Sequence, residues 1–275
     1  MSNTTSKLKD RLELKEKSWY DLSDWSGTLD SARKLGPNAS DWERAWSKLR
    51  VANRNCQIAL VAYFAEQPEV ARQHGKQCLD ETMEFLFGNW RETYITDEGH
   101  PDPKWWKTRF DWMEVFEGAL LWGSVLGEWA VLQKAGAFPE PDSCTSDGYR
   151  PQERDLYVAL GGFLHGAPRD ELDALLQRAS SGPSKSYKLI VESLRACVAR
   201  DEPALQKSLN EFLKHYKKTD FPKNDFTQKV SFKGTFFFHR AQKEGLAITI
   251  RPEYSDHIVP ASLIQPSAPS ELTTR

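Results

Sequence analysis

The sequence predicts an all-α protein, in which helical hairpins pack around one long central helix and a short extended segment closes the C-terminal side. Three observations lead there. Apolar residues recur at three- and four-residue steps through most of the 275 positions, the signature of amphipathic helices. Five of the ten tryptophans (Trp105, Trp106, Trp112, Trp122 and Trp129) fall within 25 residues that read as a single helix. Alternation of the strand type appears clearly only in Leu246-Ala-Ile-Thr-Ile250, for which no partner strand is evident.

The elements follow in order. Residues 7–18 set Leu8, Leu12 and Leu14 among lysines and glutamates, which predicts a short charged helix, and turn residues then run to Gly36-Pro37-Asn38. Ser40-Asp-Trp-Glu43 is a capping box, in which two side chains reciprocally satisfy free backbone N–H groups at a helix start. It opens a helix carrying Trp42, Trp46, Leu49, Ala52, Cys56, Ala59, Leu60, Tyr63 and Phe64 to about Glu66. Pro68 stands at the first position of the next, where its missing N–H costs nothing, and that helix reaches about Trp90.

Two prolines and a glycine in Asp97-Glu-Gly-His-Pro-Asp-Pro103 break any helix there. The central helix is predicted from Lys104 to Ala135, stopping at Gly136, with apolar residues around most of its circumference. Ala119, Gly123 and Gly127 form a small-residue stripe that would let another helix approach. After a loop at 137–150, four helices are predicted near 151–165, 168–179, 184–200 and 202–217. Leu160-x-x-Phe163-Leu164 and Leu194-x-x-Cys197-Val198 are 34 residues apart, as tandem helical hairpins would place them, although tetratricopeptide consensus residues are missing. A last helix from Phe232 ends at Gly245. The organisation expected is an N-terminal helix and loop at 1–36, a Trp-rich acidic half at 37–136, the linker at 137–150, a Trp-free half at 151–264 and a disordered tail at 265–275.

Charge and cysteine usage narrow the function. A formal charge of −2 excludes a globally basic nucleic-acid binder. The balance is uneven: residues 51–150 carry 9 Lys/Arg against 16 Asp/Glu, while 201–250 carry 9 against 6. Cys56, Cys78, Cys144 and Cys197 lie far apart and read as free thiols, three of them on core faces. With no signal-type apolar segment near the start and no run of about 20 apolar residues, a cytoplasmic protein without a membrane span is expected.

No residue pattern compels catalysis. Gly182-Pro-Ser-Lys-Ser is too short for a phosphate cradle, and Ser31-Ala-Arg-Lys34 lacks the companions that an S-x-x-K nucleophile needs. His74 and Cys78 have a spacing that permits shared metal ligation, but neither HExxH nor ExxH supplies further ligands, and a rim histidine above a core cysteine is the simpler reading. Glu81, Glu84, Glu114, Glu117 and Glu128 lie on the two most apolar helices of the acidic half, as solvated or ion-paired carboxylates or as part of a partner surface. Glu117 and Glu128, eleven residues apart on one predicted helix, could also look into one groove as an acid–base pair. Trp105 and Trp106 project about 100° apart on a helix, so one of them can staple the proline-rich loop while the other faces a partner. His239 reads as packed or capping, and it flanks the extended segment together with His257.

The C-terminal stretch consists of Phe236-Phe-Phe-His-Arg-Ala241, Gly245, Leu246-Ala-Ile248, Tyr254, Asp256 and Ile258-Val-Pro260-Ala-Ser-Leu263. It resembles the ending of the all-helical immunity proteins of bacterial polymorphic toxin systems, and the helix pairs across residues 40–264, with Gln57–Phe64 early on, are compatible with that family. The resemblance implies a non-catalytic protein that neutralises a cognate toxin by binding it, with no cofactor; no metal site is expected from the residues either. The residues expected to meet a basic toxin face are Glu81, Glu84, Asp97, Glu98, Asp102, Trp105 and Trp106. Two alternatives stay open. One is a helical enzyme using Glu117 and Glu128 in a groove lined by Trp112 and Trp122, and the other is a helical-repeat scaffold with a peptide groove across residues 151–217.

Overall fold

The computed structural model describes residues 27, 29–88, 94–95, 101–102, 111–137, 151–182, 184–218 and 229–263. Among them, besides a helical segment at 29–33, the chain forms nine α-helices: α1 (Asp41–Phe64), α2 (Pro68–Phe87), α3 (Asp111–Leu126), α4 (Trp129–Gly136), α5 (Pro151–His165), α6 (Arg169–Ala179), α7 (Lys185–Ala199), α8 (Glu202–Lys217) and α9 (Phe232–Lys243). Two-residue strands β1 (Tyr94–Ile95) and β2 (Pro101–Asp102) pair antiparallel, and 3₁₀ turns follow at Pro252–His257 and Ala261–Leu263. The all-α prediction holds.

Local chemistry explains the boundaries. The Ser40 hydroxyl accepts from the Glu43 amide while the Glu43 carboxylate accepts from Ser40 N–H, so the capping box forms as predicted. Ser184, Asp201 and Ser231 cap α7, α8 and α9 in the same manner, each accepting an N–H three residues on. Arg200, with φ 52°, makes the left-handed turn from α7 into α8. The four helices between 151 and 217 lie within a residue of their expected limits.

The predicted central helix is not continuous. Residues 104–110 lie outside the described part, and α3 ends at Leu126 because Gly127 takes φ 74°, after which α4 folds back. The small-residue stripe is used by this return: a methyl group on Gly123 would lie 2.6 Å from Leu132 of α4. On another side, Gly75 of α2 makes room for the Trp122 ring, and Gly118 meets both Cys56 and Cys78 of the α1–α2 hairpin. Trp122 is wholly buried. One hydrophobic cluster runs from Ala45 to Val259 and so includes residues of both the Trp-rich and the Trp-free halves. A second, small cluster joins Leu29 and Ala32 of the helical segment at 29–33 to Val51 and Ile58 on the outer side of α1.

The extended segment after Gly245 (φ 75°) pairs with no strand. It lies along α8, where polar side chains one helical turn apart hold alternate backbone groups. Glu202 accepts from Ala247 N–H, the Gln206 amide exchanges two hydrogen bonds with Thr249, and Asn210 donates to Thr249 O while accepting from Arg251 N–H. Four helical residues advance about 6 Å and two extended residues ~6.6 Å, so the two periods stay nearly in step over three contacts.

Candidate functional site

Of the residues expected to meet a partner, the structure describes the side chains of Glu81 and Glu84. Asp102 sits in β2, and Asp97, Glu98, Trp105 and Trp106 lie outside the described residues. Lys48 of α1 reaches across to α2 and bridges Glu81 at 2.9 Å and Glu84 at 2.6 Å. Burial opposes charge on this ammonium, but the carboxylates outweigh it and hold the Lys48 pKa above the ordinary lysine value. Glu84 still leaves 63% of its side chain in solvent. The same side of α2 exposes Glu69, Gln73, Lys76 and Asp80, and it ends at Phe87, which keeps 39% of its surface exposed. Glu69 pairs with Arg72 and Asp80 with Lys76, both across exposed surface. Helical spacing in the sequence assigns Phe87 to the apolar side of this helix, and the structure instead leaves it exposed at the helix end.

The carboxylate pair proposed for an enzyme is separated. Glu117, on α3, bonds Lys233 of α9 at 2.5 Å, and that ammonium lies 5.1 Å from the centre of the Tyr157 ring. Glu128 lies beyond the break at Gly127 as the residue preceding α4, so one helix face does not carry both. The Glu117–Lys233 pair works instead as a bridge between the two halves. Beside it, Arg178 clasps the buried Asp155 through two nitrogens at 3.0 and 3.3 Å, and the Tyr187 hydroxyl donates to Gln152 O. Burial, followed by the charge of Glu153, pushes the Tyr187 hydroxyl far above the ordinary tyrosine range, so it stays a donor.

Other titratable groups hold structure. His74 Nδ1 bonds Asn55 Oδ1 at 2.7 Å, whereas the Cys78 thiol turns inward, pushed up in pKa by its bond to Cys56 and by burial. His74 and Cys78 therefore face different partners. Among the described residues no group of three or more His, Cys, Asp or Glu could hold a metal ion. Burial pushes the Cys197 thiol up to about 12, as for an inert core cysteine. His239, read from the sequence as packed or capping, is buried with Nε2 donating to Val259 O at 2.7 Å, and His257 bonds Lys229 O. Ser31 bonds the Gly27 carbonyl, a local turn contact.

One cavity of about 310 Å³ opens between α3, α4, α5 and α6. Trp112, Phe116 and Tyr157 form its aromatic side, with ring centroids 6.1–6.5 Å apart, and His165 and Glu171 stand at its rim. Gly136 and Gly161 allow α4 and α5 to touch beside it, since a methyl group on either would meet the other's carbonyl at 2.6–2.8 Å. These residues are scattered over 60 positions of sequence, and no local pattern joins them.

No protein-family model, no curated protein and no solved structure matches this chain. Among the described residues, no helix is long and apolar enough to cross a membrane.

Proposed function

We propose that this protein neutralises a cognate bacterial toxin by binding it, without catalysis of its own, and that the solvent side of α2 forms part of the contact. The observation that carries the reading is the row Glu69, Asp80 and Glu84, with side chains 60–79% exposed, running up to the exposed Phe87. Exposed ion pairs such as Asp80–Lys76 contribute little to stability, so a partner's lysines and arginines can replace Lys76 at small cost and can meet the outer oxygens of Glu69 and Glu84 without displacing the part-buried Arg72 and Lys48. Complementary charge then raises the association rate, while an aromatic anchor such as Phe87 supplies affinity. The resemblance of the C-terminal stretch to immunity proteins supplies the class of partner, a toxin with a basic face.

The test is direct binding of the full chain to the protein encoded immediately upstream of its gene, followed by interferometry. Reversing Glu81, Glu84, Glu98 and Asp102 to lysine should slow association about tenfold at low salt, with the difference shrinking at high salt. Phe87→Ala should speed dissociation by roughly tenfold or more. Absence of binding, or binding indifferent to both changes, overturns the proposal.

A further inference from the structure

We infer that the cavity between α3, α4, α5 and α6 is a binding site for a small organic ammonium ion. Its volume, about 310 Å³, stands at the lower edge of the roughly 300–1,000 Å³ usual for small-molecule sites. Shape alone would admit any compact apolar group; the electrostatics select a cation. Three aromatic rings, those of Trp112, Phe116 and Tyr157, line one side, and aromatic faces attract positive charge through their quadrupole. Tyr157 already accepts an ammonium, Nζ of Lys233, whose own charge is matched by Glu117.

The rim points the same way. Helix α4 ends at Gly136 and α5 at His165, both cavity-lining residues, so two helix C-termini bring the negative ends of their dipoles to one mouth, against the single positive end of α6, whose first turn carries Glu171. The glycine contact between Gly136 and Gly161 is what lets the two ends come together. Glu171 adds a full negative charge from the first turn of α6, and among the described residues no cation pairs with it. The nearby Arg169 faces Asp173 instead. An anionic ligand would meet Glu171 and two carbonyl-bearing helix ends, and a neutral one would forgo the carboxylate and the rings' charge preference. This site is independent of the α2 surface, so it stands or falls apart from toxin binding.

The full chain is titrated calorimetrically with choline and, separately, with its uncharged isostere 3,3-dimethylbutan-1-ol. Choline is expected to bind about tenfold more tightly than the alcohol, the ratio that a cation–π and carboxylate contribution near 1.4 kcal/mol corresponds to. Glu171→Gln, a change at an exposed position, should remove about half of that preference on a logarithmic scale and leave the alcohol unaffected. Val158→Trp, which places a large side chain at the cavity wall, should abolish both, with the helical circular dichroism unchanged as its control. Equal affinities for the two probes, or no heat from choline at about 20 mM, overturn the proposal.

Discussion

The polar ladder on α8 gives the sharpest test of how the C-terminal segment is held. In Gln206→Ala the Thr249 backbone loses both of its bonds to the amide, at 2.7 Å to Oε1 and 2.6 Å from Nε2. A typical hydrogen bond contributes about 0.5–1.5 kcal/mol net. Thr249 is exposed, so water replaces part of what is lost, and the expected cost is about 1–2 kcal/mol. The segment is anchored further on by Tyr254, Ile258 and Val259, all buried in the main cluster, so it should not peel away alone. The urea midpoint should therefore fall with an unchanged slope. Hydrogen exchange reads the same bond locally: the Thr249 amide should lose about tenfold protection, since 1.4 kcal/mol is a factor of ten. Gln206→Glu keeps the acceptor for Thr249 N–H but sets a carboxylate against Thr249 O, so it should preserve amide protection better than alanine while still lowering the midpoint. If Thr249 exchanges at the same rate in wild type and Gln206→Ala, the ladder does not hold the segment and the reasoning is refuted.

Three further outcomes follow from the packing. Gly123→Ala drives a methyl group to 2.6 Å from Leu132 and should cost about 1–3 kcal/mol by overpacking, seen as a lower midpoint of thermal unfolding and partly restored by adding Leu132→Ala. Lys233→Met leaves the half-buried Glu117 carboxylate without its partner and should cost about 1–3 kcal/mol, whereas Lys233→Met with Glu117→Leu should cost less than the two single changes together in a double-mutant cycle. Burial, reinforced for His74 by the Arg33 charge, holds His74 and His239 below the ordinary histidine pKa of 6.5. The unfolded chain then binds more protons between those depressed values and 6.5, so this stability is complete above pH 6.5 and lost as pH falls through the folded-state values. Urea midpoints measured from pH 7.5 to 5 should decline, and less so in His239→Gln; a flat profile contradicts this.

Much of the helical frame was legible because its signals are local. Ser40 and Glu43 lie three residues apart, Pro68 marks the start of α2, and apolar periodicity survives any tertiary arrangement. The break in the central helix was not legible for a definite reason. Gly123 and Gly127 look alike in sequence, yet one receives Leu132 and the other turns the chain, and only the return of α4 distinguishes them. The strand-like segment posed the opposite problem. Its alternation was visible at Leu246–Ile250, but its partner is a helix, and Glu202, Gln206 and Asn210 read as an ordinary polar face until the segment is laid on it. The separation of Glu117 from Glu128 follows from the same Gly127, so the enzyme reading lost its shared face through backbone geometry and not through side-chain chemistry.

These outcomes bear on where function can reside. A carboxylate, imidazole or thiol already bonded within the fold must surrender that bond before it can serve a ligand, and the cost rises with burial. Asp155 with Arg178, Glu117 with Lys233 and His239 with Val259 are therefore poor places for recognition, however conspicuous their residue types. Glu84 and Glu171 are different. Glu84 shares Lys48 with Glu81 and keeps most of its side chain in water, and Glu171 stands at a cavity mouth made by two helix ends. Each can take a positive charge from outside with little rearrangement of the protein. The two surfaces differ in what accompanies the charge, an exposed phenylalanine on α2 and an enclosed aromatic wall at the cavity. That difference in shape is why a protein surface is proposed for the one and a small cation for the other.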